Sequence, residues 1–250
     1  MSKKKNIRSN TKEAKSILDK IKELRGNGSR IEKRHSDILF ITGCTSGKAG
    51  DDGDEGMPAF KRYTGDASTR MFEFFGGFCY KKKRVLDLYV LSAGYGFIPA
   101  SASIRKYDIS FNSVDAKLRK DMAKQLEIGA DFGNILKLGY KLIILRLGGK
   151  YIDTLNGALK ENDELRYETH DEATICYLAS NSKVKILLSG GMQEAIVVPE
   201  SMRKKYSGNN RYQDRIWSTF FNKHKDCSSD EIIKKLSRVK NFNDFEELLQ

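Results

Sequence analysis

Hydrophobic positions along this chain alternate between two rhythms: short continuous apolar runs, and stretches with apolar residues three and four apart. Asp37 to Thr42 is a run of the first kind and breaks into Gly43-Cys44-Thr45-Ser46-Gly47-Lys48. Val85 to Leu91 breaks into Ser92-Ala93-Gly94-Tyr95-Gly96, Tyr140 to Leu147 into Gly148-Gly149, and Val184 to Leu188 into Ser189-Gly190-Gly191. Apolar runs of this length bounded by small residues predict buried strands of a mainly parallel sheet. Between them, residues 67–80 gather Met71, Phe72, Phe74, Phe75 and Phe78 on one wide face. Residues 113–137 repeat Val114, Leu118, Met122, Leu126, Ile128, Phe132, Ile135 and Leu136, the pattern of one long amphipathic helix, and 169–180 also read as helix. Strands alternating with helices predict an α/β fold. Its strands are expected to end at one edge, bringing Cys44, Ser92 and Gly190 into one cleft with Gly148 and Gly149 nearby.

The two ends of the chain differ from this middle. Residues 1–34 form a basic arm with weak helical periodicity (Ile17, Leu18, Ile21, Leu24) that stops at Gly26-Asn27-Gly28. Residues 35–200 hold the α/β pattern, and 201–250 a basic-aromatic and helical extension. Within that extension Arg203, Lys204, Lys205, Arg211 and Arg215 are interleaved with Tyr206, Tyr212, Trp217, Phe220 and Phe221. Such interleaving suits a surface on which cations hold phosphates and rings stack on bases. The alternative is a helix docking Trp217, Phe220 and Phe221 on the core. Ser228-x-x-Glu231 is a capping-box pattern opening a helix, and a second short helix follows Asn241.

Charge sharpens the picture. The net charge is +12 over 250 residues, and residues 1–34 alone carry +8 of it. A basic arm strengthens encounter with a polyanion, so nucleic acid is the expected partner, a solvated helix being the alternative. No run of apolar residues is long enough to span a membrane, and the basic N-terminus lacks the apolar stretch of a signal peptide. Cys44, Cys79, Cys176 and Cys227 are scattered without a C-x-x-C pair. That arrangement fits a reducing cytoplasm and argues against disulfides and a zinc site, so no metal or cofactor is expected.

Few residues carry candidate chemistry. Gly43 to Lys48 is no phosphate loop, because Lys48 is followed by Ala49 and the glycine spacing fails. Asp51-Asp52-Gly53-Asp54-Glu55-Gly56 lacks the ligand spacing of a calcium loop; a solvated acidic loop is one use, and the supply of one carboxylate, Asp51 or Glu55, to the active edge is another. Cys44 is a nucleophile or a small buried hydrophobe. Ser92-Ala93-Gly94-Tyr95, followed by Tyr107-Asp108, presents an aromatic plane and a Tyr-Asp pair at a strand end, which suits a flat polar ligand such as a nucleobase.

Taken in order, Cys44-x-x-x-Lys48, Pro58-Ala59-x-x-x-Tyr63, Ser92-Ala93-x-Tyr95-Gly96-Phe97-Ile98-Pro99 and Ile104-x-x-Tyr107-Asp108 resemble a group of related families. These include the YaaA-type peroxide-stress proteins, bacterial and phage domains of unknown function, and the cysteine-containing domain of archaeosine synthase. The match covers roughly residues 37–112. It departs from uracil-DNA glycosylases in the acidic insertion at 51–56 and in lacking their water-activating and histidine motifs. The resemblance implies a uracil-DNA glycosylase-like fold and a base in DNA as substrate, flipped from the duplex. It implies Asp108 as the catalytic carboxylate, with Asp51 and Glu55 next. Cys44, Lys48, Tyr63, Ser92, Tyr95 and Tyr107 would line the base pocket. The expected activity is a DNA glycosylase excising a modified base, a glucosylated hydroxymethylated one among the candidates, in defence against phage. A base-modifying transferase and a non-catalytic DNA-binding stress protein are the alternatives.

Overall fold

The computed structural model describes residues 6–26, 31–45, 47–51, 55–65, 86–160, 174–180, 185–188, 191–206 and 212–250, with backbone alone for 185–188 and 191–194. The first apolar run becomes β1 (Ile38–Gly43), every residue of it buried. Beyond it come β2 (Met57–Pro58) and a single helical turn, α2 (Ala59–Arg62). β3 (Asp87–Ser92) turns back through Ala93-Gly94-Tyr95 into β4 (Gly96–Pro99), and β5 (Ser103–Ile104) pairs with β2. The central sheet has six strands in the order β10-β7-β6-β1-β3-β4, where β6 is Leu142–Arg146, β7 Thr174–Ala179 and β10 Ile196–Val197. All neighbours run parallel except the β3–β4 hairpin at one edge. The chain is therefore α/β with a mostly parallel sheet, as its apolar rhythm predicts.

Residue parity along the strands splits the core in two, because successive side chains point to opposite faces. Leu39, Ile41, Tyr89, Leu91, Ile143, Leu145, Ile175 and Tyr177 face one layer. That layer is α1 (Lys12–Arg25), α3 (Ala116–Gln125), α4 (Ile128–Lys137) and α5 (Gly149–Lys160). Ile38, Phe40, Leu142, Ile144, Cys176 and Leu178 face the other. After the short basic helix α6 (Glu200–Tyr206), that second face is covered by α7 (Tyr212–Lys223), α8 (Ser229–Leu236) and α9 (Phe242–Leu249). Trp217, Phe220 and Phe221 are fully buried there, so the docking alternative holds for those three. Capping boxes at Ser228–Glu231 and Asn241–Asp244 start the last two helices.

Both ends are thus built into the sandwich. α1 is capped by Thr11 and stops at Gly26, whose φ of 66° suits glycine. It lays Ala14, Ile21 and Leu24 into the first core, while Lys12, Lys15, Lys20 and Lys22 stay exposed. Arg25, also buried, reaches Asp131 at 3.0 Å and Glu127 at 2.7 Å.

Three sequence expectations need correction. The stretch 169–180 is not helical where described: Thr174–Ala179 is a strand, buried on both faces between β6 and β10. Its six residues are too few for periodicity to separate strand from helix, and pairing with β6 and β10 decides it. Val184 to Leu188 does not join the parallel sheet either. Its described part, β8 (Lys185–Leu188), forms an antiparallel hairpin with β9 (Gly191–Glu194). The single helix expected over 113–137 is two, α3 and α4, divided at Leu126-Glu127, where Glu127 takes a left-handed φ of 50°. The expected helix over 67–80, Gly190 and Arg211 lie outside the described residues.

Candidate functional site

β1 sits at the centre of the sheet, with β3 on one side and β6 on the other. The chain leaves β1 towards β3 and leaves β6 towards β7, so the carboxyl ends of β1 and β6 diverge. Strand ends that diverge in this way are where open α/β sheets bind ligands. Cys44 follows β1 directly and extends its ladder by donating its backbone N–H to Leu91 O at 3.1 Å. α5 begins directly beyond β6, at Gly149, and carries Tyr151 in its first turn. The Tyr151 ring packs on Gly43, and its hydroxyl donates to Cys44 O at 3.0 Å. Cys44 Sγ lies 3.0 Å from that same hydroxyl and accepts the Ala93 N–H at 3.4 Å.

A clip of backbone holds the other half of the site. Lys48 and Tyr63 form an antiparallel bridge, flanked by Ala49 N–H to Arg62 O at 2.8 Å and Thr64 N–H to Gly47 O at 3.0 Å. The fully buried Arg62 donates to Ile104 O from Nε and Nη2 and to Ala49 O from Nη1. Ala59 N–H adds a bond to Ala102 O at 2.8 Å. The Cys44-x-x-x-Lys48 and Pro58-Ala59-x-x-x-Tyr63 motifs are thereby two sides of one clip, fastened to the segment that leads to Tyr107-Asp108.

Three hydroxyls meet beneath this clip. Tyr107 Oη is 2.8 Å from both Ser92 Oγ and Tyr63 Oη, and all three residues are buried. Ser92 Oγ accepts the N–H groups of Gly94 and Tyr95 at 3.2 and 3.1 Å. Gly94 is required here by close approach, since a Cβ would fall 2.9 Å from the Tyr107 ring. Lys48 Nζ, half-buried, stands 4.2 Å over the face of that ring.

Burial raises Tyr63, Tyr107 and Tyr151 well above the usual phenol range, and the electrostatic influence of Cys44 adds to it. All three stay protonated donors. Burial also lowers Lys48 below an ordinary lysine, against the opposing pull of Cys44 and Asp108. Among the described residues Lys48 has no ion-pair partner within contact distance.

Of the residues singled out from sequence, Cys44, Lys48, Tyr63, Ser92 and Tyr107 thus come together. Asp108 is exposed beside them and acts on Lys48 through its charge. Tyr95 is 3% exposed, edge-on to Tyr107, and its hydroxyl is bound to the Arg105 backbone. Asp51 and Glu55 are exposed, with no hydrogen bond or ion pair among the described residues. Tyr151 is the member that sequence reasoning missed. Its signal was its place two residues after Gly149 at a strand end, the same grammar that exposed Tyr95. Among the described residues, no group of three or more His, Cys, Asp or Glu is arranged to hold a metal ion.

α6 leaves the same edge of the sheet. β10 runs parallel to β7, and Glu200 follows just beyond its carboxyl end. β10 is three strands from β1, or about 14 Å at about 4.8 Å per strand. Lys204 pairs with Glu200 at 2.8 Å, an exposed contact of small worth, and Lys205 with the partly buried Glu246 at 3.8 Å. Arg203 is half-buried, and Arg215 on α7 is exposed. No helix among the described residues is long and apolar enough to cross a membrane. Comparison with family models, with curated proteins and with solved structures returns no match.

Proposed function

We propose that the cleft at the carboxyl ends of β1, β3 and β6 takes a nucleobase flipped out of DNA and cleaves its N-glycosidic bond, on a frame of the uracil-DNA glycosylase type. One observation carries this: donors that burial keeps protonated (Tyr63, Tyr107), a cation (Lys48) and an exposed carboxylate (Asp108) come together at the strand ends of a topological switch point. Breaking the bond builds positive charge on the sugar and negative charge on the departing base. Asp108 answers the first electrostatically; the tyrosine hydroxyls and Lys48 answer the second. The exposed lysines of α1 and the basic residues of α6 would hold the phosphates, in keeping with a net charge of +12. Carboxylates on the 51–56 loop would accept hydrogen bonds from a hydroxyl-rich substituent, so a glucosylated hydroxymethylated base is favoured over plain uracil, and with it a role in cytoplasmic defence against phage.

The placement of Cys44 Sγ between an amide N–H and a phenol supports a second use of the same pocket, transfer of a group onto the base. DNA containing uracil, hydroxymethylated or glucosylated bases separates the two. Alkali-labile breaks that disappear in Asp108→Ala establish the glycosylase, whereas a mass gain on the base establishes the transferase. Retained DNA binding with neither product leaves a binding protein and overturns both.

A further inference from the structure

Resting on the nucleic-acid reading above, we propose that Lys48 is a covalent nucleophile towards an aldehyde, the ring-opened sugar of an abasic site, and that the protein therefore also cuts the strand. The starting point is what surrounds the amine. Lys48 is anchored by its backbone bridge to Tyr63, so its stem rises from a fixed platform. Its Nζ lies 4.2 Å over the Tyr107 ring, with Cys44 and Asp108 acting only through space. A lysine kept for phosphate binding is more useful in water, extended from the surface. One held half-buried over a ring, with no carboxylate in contact among the described residues, is placed as reactive amines are.

The chemistry closes without any co-reactant. Neutral Nζ adds to C1′ of the aldehyde, forming a C–N bond as the carbonyl electron pair moves to oxygen. That oxygen takes the proton lost by nitrogen, then a second proton, and leaves as water, giving a protonated imine. Asp108 next removes a C2′ proton, and the electron pair forms a C2′–C3′ double bond while the C3′–O bond breaks. The 3′-phosphate leaves as a monoester anion, and water later returns Lys48 by hydrolysing the imine. No electron is gained or lost overall.

The test uses the full chain with a duplex oligonucleotide bearing one abasic site, in the presence of cyanoborohydride, which reduces an imine to a stable amine. A denaturation-resistant adduct is expected, mapped by mass spectrometry to Lys48. Its yield should fall at least about tenfold in Lys48→Met and in Lys48→Arg, the latter keeping a cation over Tyr107. Absence of an adduct, mapping to another amine, or an undiminished yield in either folded variant overturns the proposal. If neither variant folds, the mapped position decides. Base release from modified DNA without trapping would refute the imine and leave the glycosylase standing. Trapping on abasic DNA without base release from any modified DNA would do the reverse.

Discussion

Ser92 Oγ and Tyr107 Oη lie 2.8 Å apart, and the two lone pairs of Ser92 are already occupied by the N–H groups of Gly94 and Tyr95. A hydroxyl has one proton and two acceptor sites, so Ser92 must donate to the tyrosine side. The three hydroxyls of Ser92, Tyr107 and Tyr63 share two bonds, which leaves one tyrosine proton for an acceptor outside the cluster. The β3–β4 turn thereby polarises the floor of the cleft as a donor. On the function proposed above, a ligand facing it would be recognised through its acceptors, and burial keeps that donor in place by holding the phenols protonated.

Ser92→Ala is expected to strand the Gly94 and Tyr95 amides without an acceptor and to free the Tyr107 hydroxyl. The loss should be about 1–3 kcal/mol, read from the shift in urea unfolding midpoint at unchanged slope. A shift within experimental error would show that water or a rotated hydroxyl replaces Ser92, and that the direction of donation is not fixed by the turn.

The Arg25–Asp131 pair sets the role of the N-terminal helix. Asp131 is 1% exposed and Arg25 4%, so removing the cation leaves a buried carboxylate with a lost partner. Arg25→Met should cost about 3–5 kcal/mol, and adding Asp131→Asn should recover part of it, because the uncompensated charge is gone. Chemical denaturation of the two single variants and the double variant checks this. Strictly additive losses would mean that the two side chains act independently.

Much of the site was readable because its residue types are tied to local backbone. Strand ends at Gly43-Cys44 and Ser92-Ala93, and the order Lys48, Tyr63, Tyr107, survive as sequence signals since each sits at a turn or clip made by near neighbours. Tyr151 was only half readable: Gly149 marks its place at a strand end, but nothing local to Gly149-Lys150-Tyr151 says that its ring will pack on Gly43, more than a hundred residues earlier. The same holds for Thr174–Ala179, whose identity as a strand is settled by its partners β6 and β10 and not by its own rhythm. Trp217, Phe220 and Phe221 offered two uses on sequence, base stacking or packing. Burial against Phe40 and Phe245 decides for packing, which removes these rings from any surface.

Because α1 is part of the core, deleting residues 1–30 would measure folding and not binding. Replacing the exposed Lys12, Lys15, Lys20 and Lys22 by Gln keeps Ala14, Ile21, Leu24 and Arg25 in place. DNA affinity is expected to weaken, with a slope of log affinity against log salt shallower by up to about one unit per lost phosphate contact. Binding titrations across a salt series give the answer; an unchanged slope would take the helix out of the DNA interface.

The pH dependence of imine trapping separates the charge on Lys48 from the role of its neighbours. Attack needs the neutral amine, so the rate should rise with pH and level off below the 10.5 of an ordinary lysine, since burial favours the uncharged form. Tyr63, Tyr107 and Tyr151 face the same cleft but are raised well above their usual range, so their ionisation stays out of this rise. The negative charge on Asp108 and the electrostatic influence of Cys44 oppose the lowering. Asp108→Asn should therefore move the midpoint of the profile to lower pH. In Asp108→Asn the strand-cleavage plateau should also drop, as the base for the C2′ proton is lost, while the plateau for trapping holds. Loss of both plateaus together would mean that Asp108 positions Lys48 and does not take the proton. A midpoint at or above 10.5 in the unmodified protein would show that the ring and the neighbouring Asp108 and Cys44 outweigh burial, and that Lys48 is a binding cation.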